Sequence, residues 1–492
     1  MRKRIVAFSI VTIAVIGMLS PVHAQTQNVP IAQDASAAFE PYSFEAADGT
    51  VVVAERGEFW VPENRGDSNS RMIKLAFVRF ASTNPNPAVP IVYLAGGPGA
   101  PGVGTARRER FPLFMALRAV ADVIAFDQRG TGWSNDIPRC DTGRTYPLDR
   151  PLTRERMIPF MREQARTCVR FWKDAGVDLA GYNTWESAAD LDALRQALGA
   201  DKITLWGISY GTHLGLATIK RYPERIDKAV FASIEDLHET VKLPELTDAF
   251  FARVQEAIGA DEKAVARFPD LAALMREVYN QLDAAPMTVT VTAKNGGLAQ
   301  LSIGKLDVQM LVSGMISDPP HLAYLPAMFA GMASGDFGEI GQAIYDRIRA
   351  DFGRFGNGMP EAMDSASGIS AQRLELVEAQ ARTSLLGDAL NYPMPQLAGA
   401  YGVPDLGDDF RAPVTSTVPA LFLSGTLDGR TYPESAAETA ARFSNATHVL
   451  IENAGHNLFM VSPEVTDVIL RFLEDRPIER KRIVLPSPTF VY

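Results

Sequence analysis

The sequence predicts an α/β fold: a mostly parallel sheet flanked by helices, with a large, mainly helical cap inserted after the sixth strand. Three observations predict it. Short apolar runs suited to strands buried on both faces, at residues 90–95 and 203–206, alternate with longer segments of helical periodicity. One of these runs ends in Gly207-Ile208-Ser209-Tyr210-Gly211, a Gly-x-Ser-x-Gly turn that leads from a strand into a helix. The alternation stops between residues 235 and 413, where helical patterns dominate, and then resumes.

The N-terminus reads as a secretory signal peptide. Arg2, Lys3 and Arg4 precede an apolar run from Ile5 to Leu19, and Val22-His23-Ala24 is a small-x-small cleavage pattern. The run is shorter than the roughly 20 residues a spanning helix needs, so no stable membrane insertion is expected. Cleavage after Ala24 would leave the mature chain periplasmic or secreted. It removes three bases and no acid, so the formal net charge moves from −10 to −13. An acidic surface whose only run of bases is Arg480-Lys481-Arg482 argues against nucleic acid as a partner. The two cysteines, Cys140 and Cys168, both lie in the exported part, which predicts a disulfide.

In chain order, 51–61 and 72–80 are rich in β-branched and aromatic residues and predict an antiparallel start to the sheet. Strand 90–95 runs into Gly96-Gly97-Pro98-Gly99-Ala100-Pro101-Gly102. Such glycine density lets backbone N–H groups approach a ligand, and taken alone it suits a flexible turn and an oxyanion loop equally. Strand 121–126 ends in Asp127-Gln128-Arg129-Gly130-Thr131-Gly132-Trp133-Ser134, in which Asp127 and Arg129 read as scaffold. Amphipathic helices are expected within 151–180 and over 186–198, followed by strand 203–206, a helix to about Tyr222 and strand 229–231. Residues 25–234 are thus the first part of the sheet domain, 235–413 the cap, and 414–475 the second part, with strands at 420–424 and 447–451 and a helix over 463–473. Residues 476–492 form an extended, proline-marked tail.

A serine hydroxyl is a poor nucleophile at neutral pH and needs a base, an orienting carboxylate and donors for the developing oxyanion. Six histidines narrow the search for the base, and His23 leaves with the signal peptide. His456, in Asn453-Ala454-Gly455-His456-Asn457, directly follows a predicted strand, where a loop can deliver it to the sheet edge. His448 opens a strand, His213 lies on Ser209's own helix pointing away, and His238 and His321 belong to the cap. Asp428 follows the strand at 420–424 in a turn. The order Ser209, Asp428, His456 is the one that a strand-to-helix nucleophile turn requires. The oxyanion donors would be the N–H groups of Tyr210 and Gly97.

Together, Gly96-Gly97-Pro98-Gly99, Asp127-Gln128-Arg129-Gly130-x-Gly132-x-Ser134, Gly207-x-Ser209-x-Gly211, Asp428 and Gly455-His456 resemble the α/β-hydrolase family of proline iminopeptidases and secreted tripeptidyl aminopeptidases. The resemblance spans residues 45–475 and is weakest through the cap. It implies the α/β-hydrolase fold and an exopeptidase that releases N-terminal residues or short peptides through an acyl-enzyme. Ala95 stands where family members often have His, and the further cap cysteines of the tripeptidyl branch are absent. An aminopeptidase must hold a protonated amine, and Glu235 or Asp236, where the cap joins the sheet edge, is the expected carboxylate. Met310, Met315, Met328 and Met332 with Tyr324 and Phe329 either line an apolar channel or form helix core.

The same chemistry serves a carboxylesterase or lipase, since fold does not settle substrate. Haloalkane dehalogenases and epoxide hydrolases need an acid where Ser209 stands. A non-catalytic binding protein on this scaffold would have no use for the Ser209, Asp428 and His456 set. Neither a metal nor an organic cofactor is implied: there is no His-Glu-x-x-His, no Cys/His cluster and no dinucleotide fingerprint. The expected partner is a peptide or small ester substrate.

Overall fold

A computed structural model of the chain describes residues 38–492. The expected signal peptide lies outside the described residues. The strands are β1 (Ala38–Glu45), β2 (Val51–Pro62), β3 (Met72–Phe80), β4 (Ala88–Leu94), β5 (Ala121–Asp127), β6 (Ile203–Ser209), β7 (Ile226–Ile234), β8 (Met287–Thr292), β9 (Leu298–Ile303), β10 (Ala420–Gly425), β11 (Ala446–Glu452) and β12 (Arg482–Val484). Ten of them form one sheet in the order β1-β2-β3-β5-β4-β6-β7-β10-β11-β12. The pairings from β1 through β3 to β5 are antiparallel, and every later pairing in this sheet is parallel.

Helices cover both faces of the sheet, which is why its central strands read as unbroken apolar runs rather than as alternation. On one face Leu205 joins Val92, Leu94 and Phe231 beneath helices Thr184–Ala197 and Tyr210–Arg221. On the other, Trp206 and Ile208 pack with Tyr93, Phe114 and Phe459, and the Trp206 ring centroid lies 4.7 Å from those of both Tyr93 and Phe114. Parallel pairing then sends the carboxyl ends of β4, β6, β7, β10 and β11 to one edge, where a binding crevice forms in open α/β sheets.

The chain between β7 and β10 is mainly helical, as the sequence predicts, but differs in three ways. It follows the seventh strand, because β1 escapes the sequence pattern: it is an edge strand carrying Pro41 and polar residues. It contains the hairpin β8–β9, a short alternating stretch among helices. And its halves pack differently. Phe250, Val254, Met275, Leu311 and Phe329 build a core of the insertion's own, whereas Met359, Ala362, Met363 and Phe410 join the sheet's helix-covered face beside Leu191 and Tyr210. The methionine stripe resolves accordingly: Met315, Met328, Met332 and Phe329 are buried in the insertion's core, Met310 is half-buried against a separate cluster with Tyr146 and Phe352, and Tyr324 is exposed.

Cys140 and Cys168 are bonded, with Cα atoms 5.6 Å apart, tying the segment before helix Arg154–Asp174 to that helix. On the chain-entropy account such a loop closure contributes about 3–4 kcal/mol. No helix among the described residues is long and apolar enough to cross a membrane.

Candidate active site

Ser209 ends β6 at φ 55° and ψ −131°, immediately before helix Tyr210–Arg221. A non-glycine residue held there costs on the order of 1–3 kcal/mol, so its surroundings must impose the bend. They do so by close approach. A Cβ on Gly211 would lie 2.1 Å from the Leu94 carbonyl oxygen, and one on Gly207 would lie 2.7 Å from that of Gly211. Thr212 adds a hydroxyl that donates to the Ser209 carbonyl at 2.7 Å and accepts the Glu235 N–H at 2.8 Å.

Ser209 lines a cavity of about 870 Å³ with Gly96, Gly97, Arg430 and His456. The glycine-rich loop presses against the serine, since a Cβ on Gly96 would come within 3.0 Å of the Ser209 Cβ. Among the described residues, the N–H groups of Gly97 and Tyr210 have no hydrogen-bond partner. The Tyr210 N–H opens a helix, where donors are unspent and the dipole is positive.

His456 arrives on the loop after β11, and its Nδ1 donates to Asp428 Oδ2 at 2.9 Å. The carboxylate can only accept, so this bond leaves Nε2 as the lone-pair nitrogen, and His456 itself lines the cavity. Asp428 is fully buried. Thr431 Oγ1 donates to its Oδ2 at 2.6 Å, while the N–H groups of Arg430 and Thr431 reach Oδ1 at 2.8 and 3.0 Å. Burial alone would raise its pKa, but the His456 imidazole and the Thr431 bonds hold the carboxyl below its usual range.

The backbone of the His456 loop is pinned from two sides. Ser233 Oγ, at the end of β7, donates to the His456 carbonyl at 2.7 Å, and the His456 N–H donates to the Ser317 carbonyl of the insertion at 2.7 Å. Asp318 accepts from Asn457 N and Nδ2 at 3.0 and 2.7 Å, and the Gly429 N–H reaches the Ile316 carbonyl at 3.0 Å. Residues 316–318 therefore clamp both the Asp428 and the His456 loops. No sequence signal marked this segment, because its partners lie more than 100 residues away and most of the groups involved are backbone.

Two of the remaining histidines are held elsewhere. His213 is fully buried between the Asp236 carbonyl at 3.2 Å and Ser367 Oγ at 3.1 Å, and burial pushes its pKa down. His448 Nε2 lies 2.9 Å from Ser424 Oγ. Asp127 and Arg129 are scaffold. Asp127 accepts the N–H groups of Val103 and Trp133 at 2.9 and 2.8 Å, and Arg129 is paired with Asp190 at 2.7 and 2.8 Å.

The two expected amine carboxylates part company. Asp236 is buried and turned away from the cavity into an ion pair with Arg442 and a hydrogen bond from Thr439 at 3.2 Å. Glu235 pairs with Lys242 at 2.8 Å, and although burial works the other way, Lys242 and then His213 hold its carboxyl below the usual range. Two further acids come with it from helix Met359–Ser367. That helix lies against the serine turn, for the Tyr210 hydroxyl donates to Met363 Sδ at 3.3 Å, and a Cβ on Gly99 would meet Pro360 at 2.9 Å. Glu361 Oε2 is buried and, among the described residues, has no hydrogen-bond partner. Asp364 lines a second cavity of about 420 Å³. Burial, and then the like charges of Glu235 and Glu361, push its carboxyl well above the ordinary range. Nothing in the local sequence distinguishes this Glu-x-x-Asp spacing from a solvated helix face.

Comparisons with known proteins agree with this architecture. Residues 89–463 match the model of the alpha/beta hydrolase fold family. Over 178 residues the chain is 32% identical to serine protease Hip1 of Mycobacterium tuberculosis, covering 35% of this chain and 34% of that one. It is 28% identical over 199 residues to a tripeptidyl aminopeptidase of Streptomyces lividans, covering 36% and 35%. The match thus spans about a third of the length of these curated relatives. Among solved structures, a proline iminopeptidase-related protein of Thermus thermophilus aligns over 85% of this chain and 97% of its own, at 17% identity and a TM-score of 0.39. With three quarters of its length inside the family model, and its strand order, serine turn and loops on one sheet edge, the chain belongs to the alpha/beta hydrolase fold family.

Proposed function

We propose that this hydrolase is an exported aminopeptidase that releases N-terminal residues or short peptides through an acyl-enzyme on Ser209. His456 takes the Ser209 proton as the hydroxyl attacks the scissile carbonyl, and Asp428 holds the imidazole in the required tautomer and stabilises its charge. The Gly97 and Tyr210 N–H groups receive the oxyanion. His456 then returns the proton to the leaving amine, and water enters by the same route to release the acyl group.

The observation that carries the peptidase reading over an esterase reading is the carboxylate group beside the serine turn. Glu235 and Glu361 lie close enough to Asp364 to raise its carboxyl, and of the three only Glu235 forms an ion pair among the described residues. Uncompensated, desolvated carboxylates are costly and favour a bound cation. A protonated α-amine is the cation that a free-amine peptide brings. The Cys140–Cys168 bond supports export, because disulfides persist in oxidising compartments.

The test compares free-amine peptides, the same peptides with the amine blocked, and simple esters. Blocking the amine should abolish or strongly reduce peptide cleavage, and Ser209→Ala should lower kcat on every substrate by roughly 10³-fold or more. Equal cleavage of blocked and free peptides, or turnover of esters alone, would sink the aminopeptidase assignment. Residual labelling of Ser209→Ala by a fluorophosphonate would sink the nucleophile.

A further inference from the structure

One charged group in the Ser209 cavity is not used by acyl transfer. Arg430 follows Asp428 by two residues, on the loop after β10. Its backbone N–H is bound to Asp428 Oδ1 at 2.8 Å, while its side chain crosses to the insertion, where Nη1 donates to the Ser313 carbonyl at 3.2 Å. The residue lines the same cavity as Ser209, Gly97 and His456.

Among the described residues no carboxylate forms an ion pair with Arg430, although the chain carries 58 acids against 48 bases. Four other sheltered guanidinium groups are paired, Arg129 with Asp190, Arg349 with Asp307, Arg411 with Asp405 and Arg442 with Asp236, whereas Arg373, like Arg430, is bound only to a carbonyl, but outside the Ser209 cavity. Asp364 and Glu235 lie close enough to feel its charge but neither bonds Arg430, and two of the acids around it are committed. Asp318, on the same cavity wall, receives both Asn457 donors, and Glu235 is held by Lys242. A guanidinium offers five N–H donors in a planar fork that matches a carboxylate two bonds at a time. Here one donor is spent on a carbonyl, and the fork stands unpaired in the wall of the space that substrate must enter.

We propose that Arg430 is a specificity residue that binds a carboxylate carried by the substrate near the scissile bond, so that acidic peptides are preferred; this rests on the peptidase reading above. An Asp or Glu side chain flanking the bond and the C-terminal carboxylate of a short peptide present the same chemistry. Arg108 and Arg110 line the same cavity and add positive charge there, partly offset by Glu109 and Asp318.

The experiment measures kcat/KM on free-amine peptides in matched pairs: Asp against Asn on either side of the bond, and free acid against amide at the C-terminus of a short peptide. For the wild type, the charged member of at least one pair is favoured roughly 10–100-fold, mainly through KM. The pair that shows the preference identifies the source of the carboxylate. In Arg430→Gln the charged-to-neutral ratio collapses toward one, and Arg430→Lys restores part of it, because an ammonium keeps the charge but loses the fork. A wild-type ratio near one in every pair overturns the proposal. So does an Arg430→Gln variant that lowers both members equally, which would make Arg430 a support of the Asp428 loop. If no free-amine peptide is cleaved while esters are, the peptidase reading fails by itself. The ratio is then read on a monoester of a dicarboxylic acid against its diester, where a value near one overturns the Arg430 assignment separately.

Discussion

Asp428 and Asp364 are pushed in opposite directions, and the difference makes the proposed amine role of Asp364 testable by pH. Asp428, held low by His456 and Thr431 against its burial, stays ionised on acidification. Its contribution to stability is present above the ordinary value of 3.8 and is lost only as pH falls through its depressed value. Asp364, raised by burial and by Glu235 and Glu361, does the reverse: folding favours its protonated form, so stability falls as pH rises from 3.8 through the raised value. An amine is held by the ionised form. KM for free-amine peptides should therefore climb as pH drops through the raised Asp364 value, while KM for simple esters stays flat over the same window. Asp364→Asn should raise the peptide KM roughly 10-fold, flatten its pH response and remove the matching slope from thermal stability. A parallel pH response for peptides and esters would count against Asp364 as an amine ligand.

Among the elements, the segment 316–318 does the most with the least sequence signature. It supplies carbonyls to Gly429 and His456 and a carboxylate to Asn457, so the insertion holds the loops of both Asp428 and His456. Asp318→Ala removes the two Asn457 bonds without touching Asp428 or His456. The expected result is a fall in kcat of about 10-fold with little change in KM, because a loosened base misaligns the attack more than it weakens binding. Unchanged kcat would show that the backbone bonds of Ser317 and Ile316 suffice. The contrast with β6 is instructive. Its run and its Gly-x-Ser-x-Gly turn could be read directly, since a strand buried on both faces and a turn with no room for a Cβ each restrict residue type. The clamp could not, because a backbone carbonyl is available from any residue. β1 escapes for a related reason, since an edge strand tolerates the polar residues and Pro that otherwise read as loop, while the β8–β9 hairpin alternates over only six residues per strand inside a long helical stretch.

On the scale of the whole molecule, the tail joins parts that the sequence treats as separate. Residues 482–484 add β12 to the sheet beside β11, and a few residues later Phe490 is buried in the insertion's core. The Val491 N–H donates to the Ala323 carbonyl at 2.9 Å, and the Tyr492 hydroxyl bonds to Asp261. The tail thus straps the insertion to the sheet. Phe490→Ala should cost about 3 kcal/mol in denaturant unfolding, the penalty of an emptied aromatic site. A loss under about 1 kcal/mol would mean that the tail rests on the surface without contributing to the core.

The sequence by itself determined the fold class, the nucleophile turn and the order of Ser209, Asp428 and His456, because each depends on residue type at short spacing: apolar runs, glycines without room for a side chain, and a loop after each strand. Tertiary structure alone decided which carboxylates gather around Glu235. Asp236 is next to Glu235 in the chain yet is neutralised by Arg442, while Glu361 and Asp364 come to Glu235 from more than 120 residues away. Charge is compensated or left uncompensated only through space, and spacing along the chain carries no record of it.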